Sequence, residues 1–129
     1  MLYIDIMSRT PVYEQIITQM EKLISAGLLK EGEQLPSVRA LSLELSVNPN
    51  TIQKAYGELD AKGLIGSVPG RGCYVMPGAR DILKSLATGR LQEIRALAQD
   101  LMAAGVSKEE IIRAIDESTT PIPEKEEAK

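Results

Sequence analysis

Residues 37–63 read SVRALSLELSVNPNTIQKAYGELDAKG, and they contain two helix starts and two stops. Ser37, placed after Pro36, is of the residue type that caps a helix N-terminus, and Val38, Leu41 and Leu45 follow at the spacing of one buried face. That short helix ends by Ser46-Val47, and Asn48-Pro49 begins another. Asn48 can accept the free N–H groups of a new helix, while Pro49 occupies its first turn, where the missing N–H is no loss. Ile52, Ala55, Tyr56 and Leu59 then define an inner stripe, which Lys62-Gly63 closes. Two helices joined by a turn of three or four residues form a helix-turn-helix.

The surrounding sequence extends this unit in both directions. Downstream, Leu64 to Val68 and Cys73 to Met76 are short strand-like runs around Pro69-Gly70-Arg71-Gly72, a hairpin appended as a wing. Pro77-Gly78 breaks the chain, which bounds a first domain at residues 1–78. Upstream, Thr10-Pro11 reads as a cap followed by proline at the first helical position, and Val12, Ile16, Ile17, Met20, Leu23 and Ile24 recur at helical spacing until Gly27. From residue 79 to 104 the stripe Ile82, Leu83, Leu86, Leu91, Ile94, Leu97, Ala98, Leu101 and Met102 predicts one long helix, interrupted only by Gly89. Ser107 and Glu110 form a capping box for a last helix bearing Ile111, Ile112 and Ile115. Residues 79–118 thus read as a two-helix segment, and residues 119–129, with two prolines and five charges, as a disordered tail.

Composition sets the limits. The 129 residues suffice for one domain with an appendage, and 43% hydrophobic with 26% charged residues is the make-up of a packed globular chain, whose elements as read above make it mostly α (α+β). Aromatics are 3%, all of them Tyr, so stacking platforms for single-stranded nucleic acid are not expected. The absence of His and the single Cys exclude His-based acid–base chemistry, a Ser-His-Asp arrangement, His/Cys zinc sites and an intrachain disulfide. No enzyme activity, metal or cofactor is expected. No apolar run approaches the ~18 residues of a membrane helix, so the expectation is a cytoplasmic protein with no membrane partner.

The helix over residues 49–61 turns Asn50, Gln53 and Lys54 outward near its N-terminus, with Thr51 on the flank. Asn and Gln can pair bidentately with adenine, and Thr can offer a methyl group to thymine or a hydroxyl to phosphate, so double-stranded DNA is the expected partner. Arg39, in the first turn behind Ser37, lies beside free N–H groups that suit a phosphate, and Arg71 projects from the wing tip toward a backbone or minor groove. The net charge of −3 speaks against a polyanion, but it is unevenly spread. Residues 36–76 carry four basic against three acidic groups, and residues 79–129 eight basic against ten acidic. So few cations neutralise few phosphates, and tight binding then calls for a homodimer. A helix of about 26 residues would span ~39 Å, more than one small domain can cover, and its stripe of Ile82, Leu83, Leu86, Leu91, Ile94, Leu97 and Leu101, with Ile111 and Ile115, is the expected pairing surface.

The run LPSVRALSLELSVNPNTIQKAYGELDAKGLIGSVPGRGCYV, residues 35–75, resembles the winged helix-turn-helix of the GntR family of bacterial transcription regulators, and the NPNT element with a short helical C-terminal part is similar to its YtrA-like branch. The resemblance implies a dimer formed by the last two helices, a repressor acting on a palindromic operator, and operator contacts from Ser37, Arg39, Asn48, Asn50, Thr51, Gln53, Lys54, Gly70, Arg71 and Gly72. Pro49 and Gln53 stand where many members of the wider family carry Arg, so guanine contacts from those positions are not implied.

Plainer readings exist for each residue. Ser37, Asn48 and Pro49 are justified by capping alone, Arg39 and Arg71 as solvated charges, Tyr56 and Cys73 as core. For the whole chain, the alternative is a winged-helix protein–protein interaction module without specific DNA binding. A small-molecule effector is compatible with a dimer of short helices, although the sequence displays no ligand set.

Overall fold

In a computed structural model, which describes residues 2–119, the order of elements is α1 (Val12–Ser25), α2 (Val38–Leu45), α3 (Pro49–Ala61), β1 (Ile65–Val68), β2 (Gly72–Val75), α4 (Ala79–Thr88), α5 (Leu91–Ala103) and α6 (Lys108–Glu117). Each of the first three helices contributes the stripe its spacing predicts. Ile16, Ile17, Met20 and Ile24 of α1, Leu41 of α2, and Ile52, Ala55, Tyr56 and Leu59 of α3 are buried together with Leu64, Ile65, Val75 and Ala79. Each large aliphatic side chain so buried contributes about 1.5–3 kcal/mol, which is what holds three short helices in one arrangement. Lys62 pairs with Glu21 at 2.7 Å across the α1–α3 contact.

The wing is antiparallel, with Ile65 opposite Val75 and Val68 opposite Gly72. Its outer strand has a further neighbour: Leu35 donates its N–H to the Cys73 carbonyl at 2.8 Å, and Val75 donates to the Glu33 carbonyl at 2.9 Å. The polar loop before α2 therefore runs along β2 as an edge, with Gln34 bridged to Tyr74. Tyr56 is buried in the core, and Cys73 packs half-buried against it.

Two expectations are corrected. First, α1 begins at Val12 with Pro11 at the N-cap and no capping side chain. Thr10 is drawn elsewhere: its N–H donates to Ser8 Oγ at 3.1 Å, and its carbonyl accepts from Gln15 Nε2 at 2.8 Å. The same Gln15 amide also accepts the Asp5 N–H at 2.9 Å and donates to the Asp5 carbonyl at 3.0 Å, while Gln19 repeats the pattern on Tyr3. Two glutamines one helical turn apart thus hold the extended N-terminal segment through its backbone.

Second, the long helix over residues 79–104 is two helices, α4 of 10 residues and α5 of 13, separated at Gly89-Arg90. Thr88 Oγ1 donates to the Lys84 carbonyl at 2.7 Å, a back-bond that bends helices, and Gly89 is a poor helix former. Arg90 then turns its guanidinium onto the carboxylate of Glu93 at 3.0 Å, which organises the first turn of α5. The length argument for a pairing surface therefore does not hold.

Helix α4 is fastened to α1. Ala79 is buried in the core, and Ile82 and Leu83 pack half-buried against it. Glu31 accepts the Arg80 backbone N–H at 3.2 Å, and the Arg80 guanidinium donates to the Ser25 carbonyl at 3.0 Å. The carboxylate thus sits at the N-terminus of α4 and the cation at the C-terminus of α1, each matched to the helix dipole it faces. Backbone N–H bonds from Gly78 and Arg80, with the Arg80 charge adding to them, hold the Glu31 carboxyl below its ordinary range. An open groove of about 890 Å³ runs beside this junction, lined in part by Lys30, Asp81 and Lys84.

The capping box of α6 is present, with Glu110 N–H on Ser107 Oγ at 3.1 Å. The expected tail lies outside the described residues apart from Thr119, whose hydroxyl donates to the Asp116 carbonyl at 3.1 Å. Among the described residues, no helix is long and apolar enough to cross a membrane.

Candidate nucleic-acid interface

Three elements carry the residues expected to meet DNA, and a four-residue segment ties all three together. Ser37 caps α2 by accepting the Ala40 N–H at 3.0 Å, and Asn48 caps α3 by accepting the Asn50 N–H at 2.8 Å. The Tyr56 hydroxyl, on the buried side of α3, donates to the Pro36 carbonyl at 2.7 Å. Burial, first, and more weakly the nearby Cys73 and Glu44 push this hydroxyl well above its ordinary pKa, so it remains a donor. Two residues earlier, Gln34 Nε2 donates to the Arg71 carbonyl at the wing tip, 2.7 Å away. Residues 34–37 therefore touch the wing, the inner face of α3 and the start of α2 in sequence.

The turn between α2 and α3 is held from inside. Ser46 adopts the left-handed conformation at φ 56°, and the buried Ser42 hydroxyl donates to the Val47 carbonyl. A satisfied hydroxyl at this depth secures a turn without costing an unpaired polar group. The inner-face pattern of Val38, Leu41 and Leu45 gave no sign of Ser42. Its signal is its position one residue after Leu41 and four before Ser46.

The candidate contact residues are then presented outward. Ser37, Arg39, Asn48, Asn50, Gln53, Lys54, Gly70, Arg71 and Gly72 are exposed, and Thr51 is half-buried on the flank. Within the described residues, the side chains of Arg39, Asn50, Gln53 and Arg71 make no hydrogen bond or ion pair. Lys54 differs: its ammonium lies 3.9 Å above the centroid of the Tyr13 ring on α1, a cation–π contact that sequence spacing does not reveal. Such a contact limits the freedom of a long side chain at the edge of the outward face.

At the wing tip, Arg71 N–H closes the turn on the Val68 carbonyl at 2.9 Å. Gly70 and Gly72 have φ of 78° and 106°, values that L side chains rarely adopt. A Cβ at Gly72 would lie 3.0 Å from Gln34 Nε2, so the glycine also leaves room for that amide.

Away from this surface, α5 and α6 contact each other, and α4, α5 and α6 leave apolar side chains in solvent. Leu86, Leu91, Ile94, Leu97 and Ile115 are each exposed by 51–59%. Leu101 and Ile111 are half-buried.

Comparison with known proteins adds the following. Residues 12–75 match the family described as bacterial regulatory proteins, gntR family. The chain is 40% identical over 123 residues, 95% of each sequence, to the HTH-type transcriptional repressor YtrA of Bacillus subtilis. A GntR family transcriptional regulator from Listeria monocytogenes superimposes with a TM-score of 0.71 at 32% identity, covering 87% of this chain and 98% of the other. The DNA-binding domain of AraR, solved in complex with operator ORX1, superimposes with a TM-score of 0.51 at 30% identity, covering 57% of this chain and 92% of the other.

Proposed function

The chain belongs to the GntR family of bacterial regulatory proteins and is a transcriptional regulator with that family's DNA-binding domain; from this premise we propose a repressor that binds a two-fold symmetric operator as a homodimer. The observation that carries the proposal is the tip of α3. An asparagine-capped helix buries Ile52, Ala55, Tyr56 and Leu59 while it offers Asn50 and Gln53 outward with unengaged side-chain amides.

In this mechanism, α3 enters the major groove and Asn50 and Gln53 read base edges, with adenine the favoured partner. Thr51 and Lys54 flank that contact. The N-terminus of α2, with Ser37 and Arg39, holds a phosphate, and Arg71 between Gly70 and Gly72 meets the backbone or the minor groove. Asn48 serves chiefly by fixing the start of α3 through its cap. The chain acts where the chromosome is, in the cytoplasm, and its 40% identity to a protein named a repressor supports repression as the outcome.

The homodimer rests on exposure, not on helix length. Leu86, Leu91, Ile94, Leu97 and Ile115, continued by Leu101 and Ile111, form an apolar surface that a second copy would cover by symmetry. Ile82 and Leu83, also expected in the pairing surface, are half-buried against the core and attach α4 to it. Two copies double the phosphate contacts, which offsets the shortage of cations in each.

Selection of duplexes from a random pool by the purified protein tests the whole proposal. The expected result is an inverted repeat with half-sites about one helical turn apart, or a small multiple of it. Recovery of no preferred sequence, or a strictly monomeric protein in sedimentation, would refute it.

A further inference from the structure

The wing tip is a turn of two glycines around an arginine, the composition least able to hold one conformation by itself. Yet its backbone is fixed from outside. Among the described residues, Gln34 is the one side chain beyond the hairpin that hydrogen-bonds to the tip, and it does so at the carbonyl of Arg71 itself, 2.7 Å away. The Tyr74 hydroxyl adds a longer contact of 3.4 Å to the same oxygen from within the hairpin. The base of Gln34 is itself immobilised, because Leu35 and Glu33 on either side bond to Cys73 and Val75 of β2. Gly72 completes the arrangement by leaving the space that the Gln34 amide occupies.

We propose that Gln34 is a positioning residue for operator binding: its amide holds the Arg71 carbonyl and thereby aims the Arg71 guanidinium at the duplex before the two meet. The inference rests on the proposal above that the wing touches DNA. A tip left free would have to be ordered during binding, and that cost would come off the affinity. With the carbonyl pinned, the one cation of the wing is delivered in place, which matters most in a chain with so few cations. The role is indirect, so Gln34 need not touch DNA.

A double-mutant cycle with Arg71 tests it, using the full chain and a duplex selected by the wild-type protein. Q34M keeps the side-chain length without the donor, and Q34N keeps the amide but falls one methylene short. Both are expected to weaken binding about fivefold, the worth of one hydrogen bond, and to lower the salt slope toward that of R71A although no charge is removed. In an R71A background the same changes are expected to have no effect. Amide order parameters of Gly70 and Gly72 in the free protein are expected to fall in both variants, with the thermal midpoint unchanged. Equal weakening by Q34M with and without Arg71 would overturn the proposal, since Gln34 would then act for itself. So would wild-type affinity and slope in Q34M when R71A binds weakly. If R71A itself binds like wild type while N50A loses sequence preference, the wing contact is what fails, and the Gln34 role falls with it while the α3 assignment stands.

Discussion

The Tyr56 hydroxyl donates to the Pro36 carbonyl at 2.7 Å, so the buried side of α3 is bonded to the residue that precedes the cap of α2. Y56F keeps the ring in the core and strands that carbonyl, so a loss of about 1–2 kcal/mol is expected in urea denaturation. The bond also has a pH signature. Burial raises the folded-state pKa of Tyr56 above its ordinary value of 10.0, so the unfolded chain gives up the proton first. Stability from this group is complete below pH 10 and declines above it. Y56F should therefore lose less stability than the wild type between neutral pH and strongly alkaline solution.

At the opposite end of the pH scale, Glu31 is the group to watch. Its folded-state pKa lies below the ordinary 4.5, so its contribution is present above that pH and is lost as the pH falls through the lowered value. E31Q should melt lower than the wild type near neutrality, and the difference should shrink under acid. R80A should show a similar loss near neutrality, because it frees the Ser25 carbonyl at the end of α1. Thermal melts at a series of pH values would check both.

For the two caps, the residue type matters more than its identity. S37A and N48A should each destabilise the fold by about 1 kcal/mol, whereas N48S should restore most of the loss because serine also accepts a helix N–H. Denaturant midpoints with unchanged slopes would support a simple cap effect.

On the outward face of α3, sequence preference and affinity should separate. N50A or Q53A is expected to change the sequences recovered from a random pool while altering affinity for random DNA little. K54A is expected to weaken binding to all duplexes and to lower the salt slope by about 1. An unchanged selection profile for N50A would remove it from base readout.

L97E places a charge among the apolar side chains proposed to pair, where Leu97 is 59% exposed. The variant should fold normally, since nothing in the core is touched, but sediment as a monomer and lose most of its operator affinity. Sedimentation together with circular dichroism distinguishes loss of pairing from loss of fold.

What the sequence discloses here follows from how local each determinant is. The caps at Ser37 and Asn48, the inner stripe of α3 and the hairpin around Gly70 and Gly72 depend on neighbours within about four residues, and each was readable as such. The contacts that tie elements together are long-range: Gln34 to Arg71, Tyr56 to Pro36, Arg80 to Ser25, Lys54 to Tyr13. No periodicity encodes them. At the start of α1, Pro11 fits both the cap and the first turn, and the hydrogen bonds around Gln15, which engage Thr10, decide between them. The break at Gly89-Arg90 is not disclosed by the apolar spacing, which runs on through both helices. The outward residues of α3 were legible as a face, but not the fact that Lys54 leans on a ring from another helix.

The interruption at Gly89 bears on the proposed pairing. A methyl group there would meet only the Leu86 and Ser85 carbonyls, at 3.4 and 3.8 Å, so alanine fits without displacement. It would also remove about 1 kcal/mol of the penalty against running α4 straight into α5. On one side of this joint α4 is attached to the first three helices through Glu31 and Arg80; on the other lie the exposed apolar side chains proposed to pair. In the homodimer proposed above, G89A is expected to favour a continuous helix and so to change the half-site spacing that the pair prefers.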